Sequence, residues 1–87
     1  MNAPTIRIFV LDVPEFSSLV AAARQKPSCR VSAPLEGYQL IESAEPVEFR
    51  RKELGLKPAV WYGIFTGGLR GHIETFDRDL VRIIPTR

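Results

Sequence analysis

The stretch Gly63-Ile-Phe-Thr-Gly-Gly-Leu-Arg-Gly-His-Ile-Glu-Thr-Phe-Asp-Arg-Asp79 decides how this chain is read. It holds four of the six glycines, the single histidine and three of the ten acidic residues, and Trp61 and Tyr62 stand just before it. Three readings compete for it: a glycine loop that cradles phosphate, a His/Glu/Asp catalytic cluster, and a turn between two strands. A phosphate loop needs a helix N-terminus facing the anion and a Lys-Ser/Thr pair. Gly67-Gly-Leu-Arg-Gly71 has neither, and the alternation of His72-Ile-Glu-Thr-Phe76 predicts a strand after it. The glycines therefore read as a hairpin turn.

Working outward, Ala59-Val-Trp-Tyr-Gly-Ile-Phe-Thr66 reads as a strand that is apolar on both faces. A strand in a small sheet normally shows one polar face to water. That exception predicts cover from a helix and contact with another subunit, with Trp61 and Phe65 as interface residues. Asp77-Arg-Asp79 reads as a second turn and Leu80–Ile84 as a closing strand before Pro85. Toward the N-terminus, Thr5–Leu11 reads as a strand. Asp12, Pro14 and Glu15 have the spacing of a capped helix start. Phe16, Leu19, Val20 and Ala23 form one apolar stripe, which predicts a helix over 15–26 stopped by Pro27. Cys29–Ala33 and Tyr38–Ser43 read as strands. The segment 47–54 fits strand and helix equally, because Val47, Phe49 and Arg51 alternate while Glu, Arg, Lys and Leu favour helix.

The chain of 87 residues reads as a single domain, 1–87, with an ordinary composition of 45% hydrophobic and 25% charged residues. The expected fold class is α+β: one helix packed on a strongly curved antiparallel sheet, of the Sm-like or SH3-like small-barrel kind. A small domain has a thin stability margin, which favours a homo-oligomer. One cysteine, Cys29, excludes an internal disulfide and a thiolate metal cage. No metal and no cofactor is expected. The start Met1-Asn-Ala-Pro4 lacks the basic-then-apolar layout of a signal peptide, and no run approaches the roughly 20 apolar residues of a membrane span. A cytoplasmic protein without a membrane partner is the expectation. The net charge of +2 is mild, and Arg50-Arg51-Lys52 is the one basic run.

Leu69-Arg-Gly-His-Ile-Glu-Thr-Phe-Asp77 resembles the first motif of the bacterial Sm-like RNA chaperone family Hfq. The N-terminal Phe16–Arg24 helix and the closing Leu80-Val-Arg-Ile-Ile-Pro-Thr-Arg87 are similar to that family as well. The resemblance implies a homo-oligomeric ring that binds single-stranded RNA, with Phe76 and Asp77 near a base-binding pore. Base stacking and basic contacts to phosphate would then fall to Tyr62, Arg70, His72, Phe76 and Arg78 beside Asp77. The sequence departs from the family in one respect: the Tyr-Lys-His second motif is absent and one strand only follows Asp77.

Two other functions stand beside this one. The first is an oligomeric accessory protein that binds another protein and no nucleic acid. The second is a small-molecule enzyme or ligand binder around His72, Glu74 and Tyr62. His72 and Glu74 are two apart on one strand, the spacing at which a carboxylate tunes an imidazole base. No nucleophile accompanies them, so no residue is assigned as catalytic.

Overall fold

The computed structural model describes residues 5–32 and 36–86. The readings made on Met1–Pro4, on Ala33 at the end of a strand and on the terminal Arg87 lie outside these residues. The described elements are β1 (Ile6–Leu11), α1 (Ser17–Arg24), β2 (Cys29–Val31), β3 (Tyr38–Ser43), β4 (Val47–Arg50), α2 (Arg51–Leu54), α3 (Pro58–Trp61), β5 (Leu69–Arg70), β6 (His72–Phe76) and β7 (Leu80–Ile84).

The architecture is α+β with two antiparallel sheets. One sheet has the order β2-β3-β1-β5, the other β4-β7-β6. A single residue, Gly71, separates β5 in the first sheet from β6 in the second. Its φ is +154°, and a Cβ there would lie 2.9 Å from Cγ2 of Ile83. Glycine thus lets one run of chain leave one sheet and enter the next against the core. An isolated bridge between Thr5 and Thr86 ties the two sheets a second time. Among the described residues no pairing closes the sheets into a barrel. The expected single curved sheet is instead two sheets joined at a bend, and three short helices take the place of one.

The core follows from strand alternation. Ile6, Ile8 and Val10 of β1 are fully buried, while Arg7 and Phe9 between them face out. Helix α1 lays Leu19, Val20 and Ala23 into the same core. Each fully buried Val, Leu or Ile contributes about 1.5–3 kcal/mol relative to an exposed one. The helix starts through a 3-10 turn at Pro14–Phe16, not through the expected capping box. Asp12 is engaged elsewhere: its Oδ1 accepts from Gln39 Nε2 at 3.0 Å.

Two segments differ from the sequence reading. Residues 47–54 are both of the expected alternatives in succession, strand β4 and then the single turn α2, closed by Gly55 at φ +69°. The apolar run 59–66 is not a strand. Pro58 occupies the first turn of α3, where its fixed φ suits a helix. Successive turns follow, with Gly63 N–H donating to the Val60 carbonyl and Ile64 N–H to that of Trp61. This winding buries Trp61 and Ile64 on one side, at i and i+3. The run is apolar on both faces of a hypothetical strand because its true period is near that of a helix.

Candidate functional site

The structure gathers the aromatic residues of the expected site and scatters the charged ones. Phe76 is half-buried at the centre of an aromatic group. Its ring centroid lies 5.6 Å from Trp61, 5.6 Å from Tyr62 and 5.3 Å from Phe65, with Trp61 and Phe65 in edge-to-face contact. Trp61 has no exposed surface. It packs in the core and donates its indole N–H to the Asp77 carbonyl at 2.6 Å, so its side chain offers nothing to a partner. Phe65 is half-buried, and Tyr62 is the exposed member of the group. The interface inferred from a two-faced apolar strand at 59–66 loses its ground with that strand.

Asp77 builds the β6–β7 turn. Its Oδ1 accepts from the backbone N–H of Asp79 and of Leu80, each at 2.9 Å. These two bonds stabilise the carboxylate and hold its pKa below the usual aspartate value. Arg78 is exposed in the same turn, and its carbonyl accepts from Arg51 Nε at 2.8 Å. Arg51 also donates to the Leu56 carbonyl at 3.0 Å and to Asp79 Oδ1 at 3.2 Å. Of the basic run 50–52, the middle residue is therefore a clamp between α2 and the β6–β7 turn. A planar fork of donors suits that task.

His72 and Glu74 share the outer face of the three-stranded sheet, but the Glu74 carboxylate is engaged by an arginine. The register sets His72 opposite Ile84, Ile73 opposite Ile83 and Thr75 opposite Arg82, which leaves an extra residue in β6. This bulge leaves Glu74 as the extra residue, with its carboxylate at Arg82. Glu74 accepts instead from Arg82 Nε at 2.9 Å, and Arg82 Nη1 reaches Glu48 at 3.2 Å. The outer face of the three-stranded sheet thus carries a Glu48–Arg82–Glu74 ladder, one arginine between two glutamates. Among the described residues no group of three or more His, Cys, Asp or Glu side chains is placed to hold a metal ion. No helix among them is long and apolar enough to cross a membrane.

Arg70 lies away from this group, on β5 in the other sheet. It stands directly opposite Arg7 of β1. Arg7 is in turn opposite Glu42 of β3, and Glu42 is opposite Arg30 of β2. One row across the four-stranded sheet therefore reads Arg30–Glu42–Arg7–Arg70. Arg7 Nε contacts Glu42 Oε2 at 3.3 Å. Beside the row, Phe9 and Tyr38 are exposed large apolar residues, and Phe9 stands opposite Leu40. Sequence reading selected Arg70 alone from this row. The signal for the rest was an arginine at an outward position in each of Ile6-Arg-Ile8, Cys29-Arg-Val31 and Leu69-Arg-Gly71, but only strand register aligns them.

No family model matches the chain. The chain is 46% identical over 55 residues to a Hyphomonas neptunium protein named "Putative pyruvate, phosphate dikinase regulatory protein". The match covers 61% of this chain and 19% of that protein, so the chain spans about a fifth of the relative's length. This finding corrects the functional expectation. A relative named for the regulation of a dikinase conflicts with an Sm-like, RNA-binding module. Of the residues assigned to an RNA pore, Asp77 accepts from turn amides, Phe76 packs among three aromatic rings, and Arg70 lies on the other sheet.

Proposed function

We propose that this chain is a protein-interaction module that works in the regulation of a pyruvate, phosphate dikinase. The observation that carries the reading is the 46% identity over 55 residues to a protein named as a regulator of that enzyme. The structure supports the interaction part of it. Two chemistry-bearing side chains of β6 and the turn after it are engaged structurally, Glu74 by Arg82 and Asp77 by the turn amides. The outer face of the four-stranded sheet, in contrast, presents exposed aromatic and arginine side chains. The test is direct. The purified chain is titrated into the pyruvate, phosphate dikinase of the same cell, and binding is followed by calorimetry while dikinase turnover is assayed. A saturable complex that changes turnover is the expected result. Absence of a complex at concentrations around 100 μM, weaker than about 5.5 kcal/mol of binding, overturns the reading.

A further inference from the structure

The row Arg30–Glu42–Arg7–Arg70 crosses all four strands of the first sheet, with register partners on one face. Like charges placed directly opposite one another are destabilising in an antiparallel pair. Arg7 and Arg70 are such a pair, and a single carboxylate, Glu42, serves the whole row. Among the described residues Arg30 and Arg70 have no ion-pair partner, and both are exposed. The corresponding row of the second sheet is the opposite case, one arginine held between two glutamates. The row on one outer face therefore carries a net negative charge, and the row on the other carries an excess of two positive charges. The excess borders apolar surface. Phe9 and Tyr38 are 37% and 38% exposed, and Leu40 lies between them on β3. The turn at Gly67 packs so closely against this patch that a Cβ there would stand 2.9 Å from Cε1 of Tyr38. The patch thus has a fixed floor.

We propose that the outer face of the four-stranded sheet docks an acidic segment of a partner protein, with carboxylates seated at Arg30 and Arg70 and an apolar side chain over Phe9 and Tyr38. The identity of the partner as a dikinase rests on the proposed function; the chemistry of the segment does not. Arg30 and Arg70 are three strand spacings apart, about 14 Å at about 4.8 Å per strand. An extended chain covers that distance in about four residues at about 3.3 Å each, so the two carboxylates belong at positions i and i+4. Glu42 in the middle of the row favours a polypeptide over a nucleic acid. A phosphate backbone laid along the row would meet that carboxylate, whereas a peptide can leave its central position uncharged or donate to it. Charge of this kind sets encounter rate and specificity, and the apolar patch adds burial.

The experiment has two arms. In the first, a blocked Glu-Leu-Phe-Leu-Glu peptide is titrated into the isotope-labelled chain, with Lys-Leu-Phe-Leu-Lys as control. Shifts at the amides of Arg7, Phe9, Arg30 and Arg70 with the acidic peptide alone are expected. They should weaken steeply as salt rises toward about 0.5 M, where screening shortens to a few Å. Equal shifts with the basic peptide, or none on this face, overturn the proposal. In the second, the Arg30→Glu/Arg70→Glu double variant is tested against the dikinase, with the emission of Trp61 confirming the fold. Weakening by about tenfold or more is expected. Dikinase binding that is unchanged in the double variant overturns the docking face while leaving the regulatory reading intact. A wild-type chain that ignores the dikinase but takes up the acidic peptide does the reverse. Preferential binding of a uridylate oligonucleotide at Arg30 and Arg70 overturns the protein-segment assignment.

Discussion

The indole N–H of Trp61 donates to the carbonyl oxygen of Asp77 across 2.6 Å, and this bond joins the end of α3 to the hairpin between β6 and β7. Trp61 has no exposed surface, and its ring meets Phe76 edge-on at 5.6 Å. One side chain thus supplies core volume, an aromatic contact and a hydrogen bond between segments distant in sequence. Trp61→Phe keeps an aromatic ring, leaves the Asp77 carbonyl without its donor and opens space beside Phe76. A loss of about 2–3 kcal/mol is expected. Urea denaturation measures it. Because the variant lacks the chain's single tryptophan, far-ultraviolet circular dichroism follows the unfolding of both proteins.

The Arg51 clamp gives a second prediction. Its guanidinium serves Arg78, Leu56 and Asp79 together, and its side chain is 14% exposed. Arg51→Met retains much of the aliphatic packing and removes every donor, leaving two backbone carbonyls to find water. A destabilisation of about 2 kcal/mol follows. At about 4–8 °C per kcal/mol for a domain of this size, thermal unfolding reads it easily. Arg51→Lys restores the charge without the fork and should recover only part of the loss. Full recovery by lysine would show that charge alone carries the clamp.

Asp77 makes stability depend on pH in a defined direction. Its folded pKa lies below the ordinary carboxyl value because the Asp79 and Leu80 amides donate to the ionised form. The unfolded chain therefore takes up this proton first as pH falls. The contribution is fully present above the unfolded value near about 4 and fades as pH drops through the lower folded value. Asp77→Ala should lower stability at neutral pH and flatten the acid limb, since this group no longer titrates. Asp77→Asn keeps an acceptor and should retain more stability than alanine. Urea midpoints across the acid range check both expectations. An unchanged acid slope in the alanine variant would remove Asp77 as its source.

Cys29 sits half-buried at the start of β2, and burial pushes its thiol pKa up. Ser28, Lys26 and Ser43 act the other way and do not cancel the burial. Reaction with an aromatic disulfide reagent should therefore rise with pH along a curve centred above that of a free thiol, near about 8.5. Unfolding in urea should return the midpoint to the free value. A midpoint at or below it in the folded protein would mean that the nearby lysine and hydroxyls outweigh desolvation.

What was legible in the sequence is what short-range pattern controls. Ile6, Ile8 and Val10 alternate with Arg7 and Phe9, so β1 and its buried face follow directly from composition. The stripe Phe16, Leu19, Val20 and Ala23 marks the helix in the same way, and all four are buried. The run 59–66 reads as a two-faced strand because apolar residues fill both of its alternating sets, and Trp61 and Ile64, three apart, share one side only when the chain winds. Pro58 can close one element or open the next, and here it occupies the first turn of α3. The bulge between Ile73 and Thr75 makes Glu74 an extra residue against Arg82, and nothing local announces it. The arginine row was out of reach for a different reason. Arg7, Arg30 and Arg70 come into one row through three strand pairings, two of them between segments far apart in sequence, and a lone outward arginine looks the same whatever stands opposite.

The glycines of the opening stretch carry unequal weight, and two alanine substitutions separate them. A Cβ at Gly67 would lie 2.1 Å from the Phe9 carbonyl oxygen and 2.9 Å from Cε1 of Tyr38. The first of these atoms is backbone of β1 and cannot swing aside, so Gly67→Ala must push the turn off the sheet. The neighbouring bond from Phe9 N–H to the Gly68 carbonyl, 2.9 Å, would be strained with it. A cost above about 2 kcal/mol is expected. Gly63 stands in the turns after α3, and a Cβ there meets only the Val60 carbonyl oxygen at 3.4 Å and that of Ala59 at 3.9 Å. Gly63→Ala should change stability by less than about 1 kcal/mol, with the reduced freedom of the unfolded chain favouring the variant. Urea midpoints of the two proteins decide the matter. Because the Gly67 turn also floors the Phe9–Tyr38 patch, Gly67→Ala should weaken acidic-peptide binding even in conditions where the variant is fully folded, whereas Gly63→Ala should leave it unchanged.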